Sequence, residues 1–112
     1  MRFHMLAPDE MEHYLLDDSS LIIDLRERKD YEKGHIGNAV NVPYHDWKNY
    51  THSAEFQKIQ KNKNVILYCE RGPTSFAAAK ELTERGIPVS VLVGGIRAYR
   101  GNLKEKYLQM VL

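Results

Sequence analysis

The chain's one cysteine sits where a nucleophile would be useful. It opens the run Cys69-Glu70-Arg71-Gly72-Pro73-Thr74-Ser75, directly after the apolar stretch Val65–Tyr68 and just before an alanine-rich segment. Apolar run, loop and alanine-rich run read as strand, turn and helix, the helix covering about 74–85 and closed by Gly86. A loop wrapped over a helix N-terminus aims backbone N–H groups and partial positive charge at one point. That environment favours the thiolate, the reactive form of a thiol whose free pKa is about 8.5, and would hold an anionic substrate beside it. Gly72 supplies backbone freedom, Arg71 a fixed cation, and Thr74 and Ser75 hydroxyls for a helix cap or for a bound sulfur or oxyanion. Two residues oppose this reading. Glu70 sets a like charge beside the thiolate if it points inward, and Pro73 lacks an N–H. The plain alternative is an inert buried cysteine, for free cysteine is among the most buried residue types.

The other elements alternate around this unit. A helix is expected over 8–16, with Pro8 in its first turn and Met11, Tyr14 and Leu15 apolar. Strands are expected over 21–25, 39–42, 65–68 and 89–93. A short helix lies within 26–33, another over 53–60 capped by Ser53, and a helical turn over 96–99. A last helix is expected from an Asn102 cap through Met110. Strands alternating with helices predict an α/β fold, a parallel sheet covered on both faces, with function at the carboxyl ends of the strands. Those ends are Asp24-Leu25-Arg26, Cys69 to Ser75, and Gly94-Gly95-Ile96-Arg97.

Composition bounds the function. The 112 residues make one domain, 1–112, and 43% hydrophobic with 28% charged residues is globular rather than disordered. The net charge of +1 is no nucleic-acid footprint. It is unevenly spread: residues 1–56 hold six basic and eleven acidic residues, and 57–112, which contain Cys69, hold ten basic and four acidic. A single cysteine excludes an internal disulfide, a paired-cysteine redox motif and a cysteine zinc cluster, and the five histidines have no metal-ligand spacing with it, so no metal is expected. No apolar run reaches the roughly 20 residues that span a bilayer, and no secretory signal is evident, so the expectation is a cytoplasmic protein with no membrane partner.

Four segments together resemble the rhodanese-like domains: Leu21–Arg26, with aspartate-x-arginine at a strand end; Tyr31–Pro43; Val65–Ala79 with the cysteine loop; and Val91–Arg100, with Gly-Gly-Ile-Arg-Ala-Tyr. The resemblance implies a three-layer sandwich with a central parallel sheet of about five strands and helices on both faces. It also implies a sulfurtransferase: Cys69 takes a sulfane sulfur from thiosulfate or a similar small anionic donor, becomes a persulfide, and passes the sulfur to a thiol or cyanide. The loop residues Glu70, Arg71, Gly72, Pro73, Thr74 and Ser75 would bind donor and persulfide. Asp24 and Arg26 would tie loops together, and no cofactor is implied. From Cys69 to Thr74 the loop counts the six residues of sulfurtransferases. Related phosphatases are one residue longer and end in arginine, where this chain has Ser75. Two other readings stay open: a relay or sensing module that takes sulfur from a partner protein, and a non-catalytic interaction domain.

His35, in Gly34-His35-Ile36-Gly37, reads as a structural histidine rather than a base. His45, Trp47 and Tyr50 read as packing rather than crevice lining. Phe76, Ala77, Ala78, Ala79 and Leu82 read as helix–sheet packing. Arg97 could contact an anion near Cys69, or be a surface or helix-cap arginine.

Overall fold

The computed structural model describes residues 3–15 and 18–104. Five parallel strands form the central sheet: β1 (His4–Leu6), β2 (Ser20–Asp24), β4 (Val40–Asn41), β5 (Asn64–Tyr68) and β6 (Val89–Leu92), in the order β1-β6-β5-β2-β4. Two short strands, β3 (His35–Ile36) and β7 (Leu103–Lys104), pair antiparallel apart from it. The helices are α1 (Glu12–Leu15), α2 (Arg28–Lys33), α3 (Trp47–Thr51), α4 (Ala54–Gln60) and α5 (Pro73–Glu84).

β5 shows why the sheet is central. Its alternate residues serve different cores, so the whole run must be apolar. Val65 and Leu67 join a cluster with Ile23, Trp47, Phe56, Ala78, Ala79 and Leu82. Ile66 and Tyr68 join a second with Leu6, Met11, Ile22, Ile36 and Leu92. The first core lies under α3, α4 and α5, and the second under the segment from Pro8 to Leu15 and the β3 turn. Register places Leu67 of β5 beside Ile23 of β2 and Val91 of β6. The carboxyl ends of these three strands therefore sit side by side, with Asp24, Tyr68 and Leu92 as their last residues.

The structure departs from the sequence expectations in several places. The helix over 8–16 is a 3-10 turn, Pro8–Met11, followed by α1. The fifth sheet strand, β1, has three residues of which only Leu6 is buried, too little periodicity to read. Asn102 begins no helix at Leu103: Leu103 and Lys104 pair with Ile36 and His35, and the rest of the expected helix lies outside the described residues. Leu103 packs over Gly34, where an added Cβ would lie 3.2 Å from its Cδ1. Ala78, Ala79 and Leu82 face the sheet as expected, whereas Phe76 and Ala77 look outward from α5, with Phe76 against Phe3. Trp47 and Tyr50 pack against Phe56, but His45 lies exposed in the 3-10 turn Tyr44–Asp46. No helix among the described residues is long and apolar enough to cross a membrane.

The end of β2 is fastened by a buried ion pair. Arg26 Nη2 donates to Asp24 Oδ2 at 2.8 Å and Nε to Oδ1 at 3.1 Å, the bidentate geometry that arginine suits. Nη2 also donates to the Gly34 carbonyl at 2.6 Å, and Asn41 Nδ2 donates to the carbonyls of Asp24 and Arg26. One guanidinium thus joins the ends of β2 and α2, and the amide of Asn41 adds β4. Asp24 is wholly buried, and removing one partner of such a pair strands the other charge, at a cost of about 3–5 kcal/mol. Asp24→Ala is therefore expected to lower the free energy of urea unfolding by about that amount; a loss below ~1 kcal/mol would mean the pair holds nothing.

Candidate functional site

Cys69 is the first residue beyond β5, and α5 begins four residues later at Pro73. The chain must reverse in three residues to bring the helix back over the sheet. Gly72 makes that possible, with φ +136°, a backbone angle that disfavours a side chain. Pro73 takes the first helical position, where a missing N–H costs the helix nothing. The residue that withholds an N–H from the loop is thus also the start signal of its helix.

Cys69 is buried, at 4% exposure. The Gly72 N–H donates to Sγ at 3.1 Å, and the thiol donates to Ser75 Oγ at 3.4 Å. Ser75, wholly buried, donates its own proton to the Gly72 carbonyl at 2.9 Å. Sulfur, hydroxyl and loop backbone form one closed network. The Thr74 and Ser75 amides lie in the first turn of a twelve-residue helix, where no carbonyl inside the helix can accept from them. Such a cradle suits an anion at the sulfur or one atom beyond it. Thr74 is half-buried and Arg71 exposed, and neither side chain makes a hydrogen bond or ion pair among the described residues.

The third strand end closes over the loop. The Ile96 N–H donates to the Cys69 carbonyl at 2.9 Å and the Arg97 N–H to the Glu70 carbonyl at 3.2 Å. Arg97 Nε also donates to Glu70 Oε2 at 2.7 Å, and Arg26 Nη1 lies 3.8 Å from Oε1. Glu70 is therefore a partner of two guanidiniums. Arg97 is exposed, in keeping with a surface arginine, and its partner is this carboxylate, which the sequence did not indicate.

His35 is buried, stacked on Tyr31 with ring centroids 4.0 Å apart, and its Nδ1 lies 3.0 Å from the Tyr31 carbonyl. A carbonyl only accepts, so Nδ1 carries a proton and the ring is tied into structure. Tyr68, next to the nucleophile, points into the other core, where its hydroxyl accepts from the Ile36 N–H at 3.0 Å. Burial, and then the charge of Asp24, push its phenol far above the usual value, so it stays protonated. A surface depression of about 790 Å³, lined by residues including Phe3, Asn64 and Val89, lies at the amino ends of the strands, away from the sulfur. Another, of about 600 Å³, runs along Glu27, Tyr31, Asn41 and His45, near the carboxyl ends of β2 and β4.

Comparison with known proteins agrees with this architecture. A family model, the rhodanese-like domain, matches residues 7–102. A rhodanese-like domain protein from Staphylococcus aureus superposes with a TM-score of 0.76 at 24% identity, over 93% of this chain and 99% of that one. A Rhodopseudomonas palustris protein of unknown function, described as a possible tyrosine phosphatase, superposes with a TM-score of 0.78 at 22% identity, over 91% of this chain and 85% of that one. Among curated sequences, the tRNA uridine(34) hydroxylase of Yersinia enterocolitica is 29% identical over 109 residues, 96% of this chain. The chain spans 31% of that relative's length. With the family model covering most of the chain and the five-stranded parallel sheet carrying its cysteine loop at the carboxyl edge, this chain belongs to the rhodanese-like domain family.

Proposed function

We propose that the domain is a sulfurtransferase that carries a sulfane sulfur on Cys69, from thiosulfate or a related donor to a thiophilic acceptor such as cyanide or a thiol. The observation that carries this reading is the Gly72 N–H directed at Sγ at the head of α5. Those dipoles stabilise negative sulfur without a separate general base.

In the first half-reaction the Cys69 thiolate attacks the outer sulfur of thiosulfate. A new S–S bond forms, the old one breaks, and its electron pair leaves with sulfite. The persulfide keeps its negative charge on the terminal sulfur, within reach of the free first-turn amides. In the second half-reaction that sulfur moves to the acceptor, giving thiocyanate or a new persulfide, and the thiolate returns. No metal or organic cofactor enters. A phosphatase reading finds less support: the residue one past the six-residue loop is Ser75, bound to Gly72 and the sulfur, where a phosphoryl group would need a bidentate guanidinium. The curated hydroxylase relatives are about three times as long, and only their similar segment bears on this domain.

Intact mass after brief exposure to thiosulfate or to glutathione persulfide tests the reading. The expected result is a gain of about 32 Da on the wild type and none on Cys69→Ala, whose circular dichroism should match the parent. A gain that survives Cys69→Ala would refute the nucleophile. Ser75→Ala, which removes one contact to the sulfur and frees the loop carbonyl, is expected to slow thiocyanate formation about tenfold. An unchanged rate would mean that the hydroxyl only fills space.

A further inference from the structure

Glu70 directly follows the nucleophile, and a carboxylate there would by itself repel an anionic donor. The structure gives that charge two partners. Its Oε2 accepts from Arg97 Nε at 2.7 Å, and its Oε1 lies 3.8 Å from Arg26 Nη1. The guanidiniums come from the ends of β6 and β2, the strands on either side of β5. The Arg97 N–H also donates to the Glu70 carbonyl, so the side-chain pair stands on a fixed backbone frame. Arg26 is meanwhile held by Asp24. Around the residue after the nucleophile, two carboxylates face two guanidiniums and their charges cancel. Within the loop 69–75 only the exposed Arg71 is a cation, and it has no partner among the described residues.

We infer that Glu70 determines donor specificity: by occupying Arg97 it withholds that guanidinium's charge from a small dianion such as thiosulfate and favours sulfane sulfur offered with less negative charge, as on an organic persulfide. This deepens the sulfurtransferase reading and rests on it. The chemistry is the same for either donor. The thiolate attacks the outer sulfur, the donor's S–S bond breaks, and the electron pair leaves on sulfite or on the donor thiolate. Only the charge that the rim must accommodate differs.

Steady-state kinetics with thiosulfate varied and cyanide saturating test this in the wild type, Glu70→Gln, Arg97→Gln and the double variant, with urea midpoints confirming that each folds. Glu70→Gln is expected to lower the thiosulfate KM about threefold to fivefold, the scale of one exposed ion pair, and more at low salt. The double variant should lose that gain, because Arg97 is the group set free. An unchanged or higher KM in Glu70→Gln, or a gain that survives Arg97→Gln, would overturn the inference. Should Glu70→Gln fail to fold, Glu70→Ala answers the same question. Wild-type loading separates the two levels: if neither thiosulfate nor glutathione persulfide adds sulfur to Cys69, the sulfurtransferase reading itself fails; if sulfur is added and the variants behave alike, only the specificity role fails.

Discussion

The backbone at Gly95 lies where a side chain cannot go. A Cβ there would sit 2.5 Å from the Glu70 carbonyl oxygen and 2.6 Å from that of Cys69, and the residue has φ +67°. This close approach lets the amides of Ile96 and Arg97 reach the same two carbonyls. The turn after β6 is thereby sewn to the turn after β5, and the cysteine's backbone is fixed on the side away from α5. Gly72 then reverses the chain on the other side. Between these two glycines the sulfur has little freedom, which is what a nucleophile needs if a bound donor is to meet it in line.

The strand ends form an electrostatic row built on that frame. Asp24 is buried and its charge is met by Arg26, whose own pKa rises because the bonds and charge of Asp24 outweigh the effect of burial. Tyr68 stays a neutral phenol in the opposite core and can hold the β3 backbone. Glu70 and Arg97 continue the row into solvent. Charges that would be costly alone are arranged in pairs, and the donors left uncommitted in the cysteine loop are backbone amides, the Thr74 hydroxyl and the exposed Arg71. The site presents directed dipoles more than net charge, a setting in which the donor's shape and charge both matter.

Much of this was legible in the sequence because the informative residues are local. Val65–Tyr68, Cys69, Gly72 and the alanines of α5 occur in one continuous stretch, and a strand buried on both faces has to be apolar throughout. β1 was hidden because three residues with one buried side chain carry no periodicity. β7 was hidden because its strand identity comes from pairing with His35 and Ile36, far back in the chain. The orientation of Glu70 was hidden for the same reason: its partners lie 27 residues ahead and 44 behind. Pro73 acts in two ways: its missing N–H takes one donor from the cradle, and its place at the start of α5 makes that donor dispensable to the helix.

Whether the Cys69 cradle transfers sulfur is decided by a single-turnover experiment. The protein is loaded with a sulfane sulfur donor, freed of excess donor, and mixed with cyanide while thiocyanate is counted. One thiocyanate is expected per loaded chain, with Cys69 restored as a free thiol. A loaded chain that releases none would contradict transfer by this cradle.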